Sequence, residues 1–94
     1  MQNLEQAVAG VKLAFPVTFD IKIIMEMKYG YDANKTALME IFEELCVPFG
    51  EISEKYSSDR NFVSFSSNIT LHSQEIYERL YIRLKDEKAV RFAL

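Results

Sequence analysis

Residues 61–84 read NFVSFSSNITLHSQEIYERLYIRL, and this stretch decides the fold. From Phe62 to Leu71 the pattern has period two. Val63, Phe65, Ile69 and Leu71 face one side, with Ser67 interrupting; Phe62, Ser64, Ser66, Asn68 and Thr70 face the other. Such alternation describes a strand with one buried face. After His72 the period lengthens. Ser73 is placed to cap a helix whose first turn holds Gln74 and Glu75. Ile76, Tyr77, Leu80, Tyr81 and Leu84 then form an apolar stripe at helical spacing. Glu75 and Arg79 stand four residues apart, a pair worth about 0.2–0.5 kcal/mol. Arg79, Arg83 and Lys85 suit the negative end of the helix dipole.

Upstream of this stretch, Ser57-Ser58-Asp59-Arg60-Asn61 reads as a hairpin loop. Residues 52–56 read as a short strand with Ile52, Glu54 and Tyr56 on one face. Phe15-Pro16 opens the ordered region, with Pro16 holding Phe15 extended. Over residues 19–28, Phe19, Ile21, Ile23, Met25 and Met27 point one way. Asp20, Lys22, Glu26 and Lys28 point the other, joined by Ile24. Tyr29-Gly30-Tyr31-Asp32 breaks that strand. Asn34 is expected to cap a helix over residues 35–47, striped by Leu38, Ile41, Phe42 and Leu45 and ended by Pro48. Downstream, residues 89–94 read as a last strand.

Residues 1–14 are expected to be a weakly ordered lead-in, because Gly10 disfavours the helical face of Leu4, Val8 and Val11. Residues 15–94 form a single domain. The order βαββαβ predicts an α+β, ferredoxin-like fold: a four-stranded antiparallel sheet with two helices on one face, each helix a right-handed crossover. The first and third strands would be central. Lys22, Ile24, Glu26, Phe62, Ser64, Ser66 and Asn68 would line the open face and are the candidate interaction residues.

Composition limits the chemistry. The 94 residues are 49% apolar and carry a net charge of -3, which suits one core and disfavours coating nucleic acid. The single Cys46 can form no intrachain disulfide, so no oxidising compartment is implied, and it lies in an apolar helical pattern, so we expect a small buried hydrophobe. Cys46 and His72 together are too few for structural zinc, so no metal site is expected. His72 reads as a solvated junction residue with no nucleophile near it in sequence. Glu40, Glu43 and Glu44 describe the wet side of a helix rather than paired catalytic carboxylates. With only Gly10, Gly30 and Gly50, no phosphate-cradling loop can form. No cofactor and no enzymatic activity are expected. No signal segment and no apolar run of about 20 residues is visible, which predicts a cytoplasmic protein with no membrane partner. The Asn68-Ile69-Thr70 sequon lies inside a strand pattern and reads as chance.

The chain resembles the YbeD-like family of small bacterial proteins of unknown function. The carriers are Phe15-Pro16-Val17-Thr18-Phe19-Asp20-Ile21-Lys22-Ile23, the strand Asn61-Phe62-Val63-Ser64-Phe65-Ser66, and residues 68–77 with their Leu80-Tyr81-Ile82-Arg83-Leu84 continuation and the terminal 90–94. Their order and spacing cover residues 15–94. The resemblance implies a ferredoxin-like fold similar to ligand-sensing ACT-type regulatory domains and no known enzymatic activity. The family often has a Gly soon after the first strand's Lys-aliphatic pair; here Ile24-Met25-Glu26-Met27-Lys28 continues the strand, so the first loop differs.

The leading functional expectation is a non-enzymatic interaction or regulatory module that binds a partner protein or small ligand, with exposed sheet edges that allow a homodimer. The alternative is single-stranded nucleic-acid binding on the open face, as in RNA recognition motifs. Phe62-Val63-Ser64-Phe65 matches the tail of that signature. The other stacking positions fall on Arg60 and Lys22, and each lost stack removes about 1–3 kcal/mol per base. Charge is uneven along the chain. Residues 40–54 hold Glu40, Glu43, Glu44, Glu51 and Glu54 with no basic residue. Residues 79–91 hold Arg79, Arg83, Lys85, Lys88 and Arg91 against Asp86 and Glu87. Opposite-signed ends of this kind suit steering of a protein partner or head-to-tail self-association.

Overall fold

A computed structural model describes residues 14–94, so the weakly ordered lead-in expected for residues 1–14 lies almost wholly outside the described residues. The elements are β1 (Val17–Glu26), a single 3-10 turn (Met27–Tyr29), α1 (Tyr31–Glu44), β2 (Ser53–Tyr56), β3 (Phe62–Leu71), α2 (Gln74–Asp86) and β4 (Val90–Ala93). One four-stranded sheet has the order β2-β3-β1-β4. All three pairings are antiparallel. This is the ferredoxin-like arrangement, with β1 and β3 central.

The alternation read from β1 and β3 is the alternation observed. Ile21, Ile23 and Met25 meet Val63, Phe65, Ile69 and Leu71 in one core with Leu38, Ile41 and Phe42 of α1 and Leu80, Tyr81 and Leu84 of α2. Ser67, the polar interruption on the inner face, is buried and donates its hydroxyl to the Gly50 carbonyl at 3.1 Å. The chain before β2 also pairs with β3: Gly50 donates to the Asn68 carbonyl at 2.9 Å and Thr70 to the Pro48 carbonyl at 3.1 Å. That contact covers the half of the β3 edge that the short β2 leaves open.

β1 runs over Val17–Glu26 rather than 19–28, because the chain turns into the 3-10 turn at Met27. α1 begins four residues earlier than expected. Its N-cap is Gly30, at φ 94°, a conformation open to glycine and strained for other residues. Asn34 is therefore not the cap. It lies inside the first turns, is buried, and donates Nδ2 to the Glu26 carbonyl at 2.8 Å. Replacing it by Ala removes the donor and leaves a strand-end carbonyl short of a partner. Asn34→Ala is expected to lower stability by about 1–2 kcal/mol in urea unfolding; an unchanged midpoint would contradict the anchoring role.

α1 also ends earlier, at Glu44. Val47 donates to the Phe42 carbonyl at 2.8 Å and Cys46 to the Glu43 carbonyl at 3.1 Å, the paired bonds of a Schellman end. Cys46 occupies the left-handed position of that motif (φ 54°) and is exposed. The buried-hydrophobe reading of Cys46 is thus corrected. The helix ends before the apolar pattern does, and the turn needs a residue whose side chain points to water. A left-handed non-glycine residue costs about 1–2 kcal/mol. Cys46→Gly is expected to raise the thermal midpoint by about 4–8 °C, the shift that about 1 kcal/mol gives in a domain this size. A lower midpoint would show that the thiol makes a contact worth more than the strain.

α2 begins where expected. Ser73 Oγ accepts from the Ile76 amide at 3.2 Å, the cap read from the pattern. Residues 57–61 form a tight hairpin. The Asp59 carboxylate accepts from Ser57 Oγ at 2.7 Å and from the Asn61 amide at 3.0 Å. These bonds, the Asn61 amide first, hold the Asp59 carboxyl below its ordinary pKa.

Candidate functional site

The open face is built from the outward residues of all four strands. Cross-strand pairing sets its rows. Lys55 of β2 lies opposite Ser64 of β3, Ser64 opposite Ile24 of β1, and Ile24 opposite Phe92 of β4. The next row is Ser53, Ser66 and Lys22, and Lys22 exchanges both backbone hydrogen bonds with Leu94 at 3.0 and 2.8 Å. Phe62 faces Glu26 one row further on, and Asn68 faces Asp20. These pairs are close enough for direct side-chain interaction.

A hollow of about 400 Å³ occupies the centre of this face. Four of the seven candidate residues line it: Lys22, Ile24, Phe62 and Ser64. The edge strands supply the rest. Lys55 enters from β2, Arg91 and Phe92 from β4, and Tyr56 and Ser57 close the β2 end. Its floor is apolar, formed by Ile24, Phe62 and Phe92. Its rim holds three exposed cations, Lys22, Lys55 and Arg91. Among the described residues none of the three belongs to an ion pair.

The other candidates fall into neighbouring hollows. Glu26 lines one toward the hairpin, with Lys28, Arg60 and the flank of Phe62. Ser66 and Asn68 line another with Asp20 and Glu51. Asn68 is already engaged, donating Nδ2 to Asp20 Oδ1 at 3.0 Å. The open face is therefore three zones: cationic and apolar in the middle, Asp20 and Glu51 on one side, and Glu26 with Lys28 and Arg60 on the other.

Arg91 and Phe92 could not be assigned from alternation. Ile24 pairs with Phe92 and Met25 with Val90, so β4 carries one extra residue at a bulge. Without the bulge, Phe92 would share the inner face with Val90. With it, Arg91 and Phe92 are both exposed and Ala93 turns into the core. Two consecutive outward residues in a four-residue strand leave no periodic signal.

The uneven charge along the chain is partly cancelled in space. Arg83 Nε contacts Glu44 Oε2 at 3.3 Å, and its Nη1 lies 3.8 Å from Glu87 Oε2. Arg79 pairs with Glu75 at 2.7 Å. Folding thus brings Glu44 of the acidic segment against Arg83 of the basic one, and the expected opposite-signed ends are weakened where α1 and α2 meet. Lys88 lies 5.1 Å from the Tyr29 ring, matched by Lys28 at the same distance on that ring. Arg91 alone of the 79–91 cations reaches the open face.

On the helix side of the β2 edge, Tyr31 donates its hydroxyl to Glu54 Oε1 at 2.9 Å. That hydrogen bond raises the Tyr31 pKa above its ordinary value. The Tyr31 ring lies 5.8 Å from Phe65 and 6.2 Å from Tyr56, closing the core at this edge. His72 is exposed at the β3–α2 junction. Among the described residues there is no group of three or more metal-ligating side chains. None of their helices is long and apolar enough to cross a membrane.

A family model described as "Protein of unknown function (DUF493)" matches residues 11–94. The solution structure of protein HP0495 from H. pylori is similar, at 20% identity and a TM-score of 0.67, covering 92% of this chain and 89% of that one. So is the C-terminal domain of the MgtC protein from Mycobacterium tuberculosis, at 13% identity and a TM-score of 0.66, with 89% of each chain covered. These likenesses concern the fold. No curated protein matches the sequence significantly.

Proposed function

Because the chain belongs to the DUF493 family of proteins of unknown function, we propose its role from the site itself: a small, non-enzymatic binding module that takes an anionic ligand or partner on the open face of its sheet. The observation that carries this reading is the central hollow, where Lys22, Lys55 and Arg91 surround Ile24, Phe62 and Phe92 without an ion-pair partner among the described residues. Cations held around apolar surface, and not neutralised internally, favour an anion that also covers the apolar floor. The lining offers hydroxyls and ammonium groups but no carboxylate or imidazole to act as a general base. A regulatory role like that of ACT-type domains fits a chain that binds without transforming. The lone Cys46, with no intrachain partner, fits a cytoplasmic setting.

The test uses the full chain, isotope-labelled, in clarified bacterial extract. Amides of Lys22, Ile24, Ser64 and Phe92 are expected to shift, and the double variant Lys22→Glu/Arg91→Glu is expected to lose those shifts. Shifts confined to the outer surfaces of α1 and α2, equal in both proteins, would overturn the reading.

A further inference from the structure

We infer that the central hollow is a site for a small amphipathic anion, one compact phosphate or carboxylate joined to a flat apolar group, rather than a track for a polyanion. The inference rests on the open-face reading above and adds the class of ligand. Size permits such a ligand. About 400 Å³ lies within the range of roughly 300–1,000 Å³ typical of small-molecule sites.

Charge placement is the stronger support. Along the outward side of β1 the order is Asp20, Lys22, Ile24, Glu26. At about 3.3 Å per residue, the two carboxylates of this row, Asp20 and Glu26, stand some 20 Å apart. Asp20 and Glu51 border the hollow on one side; on the other, Glu26 stands with Lys28 and Arg60. A nucleic-acid backbone following the strand past Lys22 would carry its phosphates onto Asp20 and Glu51. A compact anion stays inside the positive zone. Across the strands the cations surround the floor from three directions, Lys22 on β1, Lys55 on β2 and Arg91 on β4. An anionic head held there leaves its apolar body over Ile24 and Phe92, which lie directly opposite each other.

The experiment titrates the labelled full chain at low salt with phenyl phosphate, phenylacetate, inorganic phosphate, benzyl alcohol and a single-stranded hexauridylate. Phenyl phosphate or phenylacetate is expected to shift the amides of Ile24, Ser64 and Phe92 saturably. Its Kd should be at least tenfold below those of inorganic phosphate and benzyl alcohol, which carry only the charge or only the ring. The tighter of the two anions identifies the head group. Arg91→Ala and Phe92→Ala, both exposed positions, should each weaken it severalfold. Equal affinity for inorganic phosphate and phenyl phosphate would overturn the inference. So would shifts of the same amides by hexauridylate and by neither small anion, a result that keeps the open face as the binding surface and removes only the ligand class. Open-face amides unmoved by every probe and by extract would remove both.

Discussion

Phe65→Ala is expected to lower the unfolding free energy by about 3–5 kcal/mol, against a total of about 5–15 kcal/mol for a domain of this kind. Phe65 is 1% exposed on central strand β3. It lies opposite Ile23 and meets the Tyr31 ring at 5.8 Å. Truncation opens a cavity between the sheet and α1, in a core whose strands are held by backbone pairing and cannot close over it. Phe62→Ala, three residues away, removes the same side chain from the open face. It should cost about 1 kcal/mol or less, since substitutions outside the core rarely exceed this. The pair is measured by urea unfolding. Equal losses for Phe62 and Phe65 would mean that the strand's two faces are assigned wrongly. Phe65→Leu, which keeps most of the volume, should fall between them and gives a folded reference if the alanine variant does not fold.

The second large effect is alkaline. Burial, with a smaller contribution from neighbouring Tyr77, pushes the Tyr81 phenol up to about 12. The two rings lie 4.9 Å apart, and burial raises Tyr77 as well. A phenol raised in the folded state holds its proton more tightly there than in the unfolded chain, where it titrates near 10. The stabilisation is therefore complete below about pH 10 and is lost as pH rises through the folded value. Between pH 10 and 12 the loss from Tyr81 should approach about 1.4 kcal/mol per pH unit. The check is the urea midpoint of wild type and Tyr81→Phe from pH 8 to 12. The difference between the two proteins at each pH carries the test. Parallel pH profiles would exclude Tyr81 as the cause.

Much of the fold was legible in the sequence. In β1, β3 and α2 each buried position repeats at the period of its element. Ile21, Ile23 and Met25, then Val63, Phe65, Ile69 and Leu71, reach the core side as read, and Ser73 caps α2 as read. The helix between them was less legible at both ends. Asn34 looks like a cap, yet the cap is Gly30, because φ 94° matters more there than a side-chain acceptor. Cys46 continues the apolar pattern by composition, yet the Schellman end turns it outward.

The candidate site divides along the same line. Local alternation alone determined that Lys22, Ile24, Phe62 and Ser64 share the open face, because side-chain direction in a regular strand depends only on the residue's parity. Pairing between strands far apart in sequence decided the rest. It set Lys55 beside Ser64, divided Glu26 and Asn68 from the central hollow, and through the bulge opposite Ile24 and Met25 turned Arg91 and Phe92 outward together. A bulge exists only relative to a partner strand, so no periodicity within residues 90–93 could record it. The apolar floor and cationic rim of this protein's hollow are thus properties of the assembled sheet.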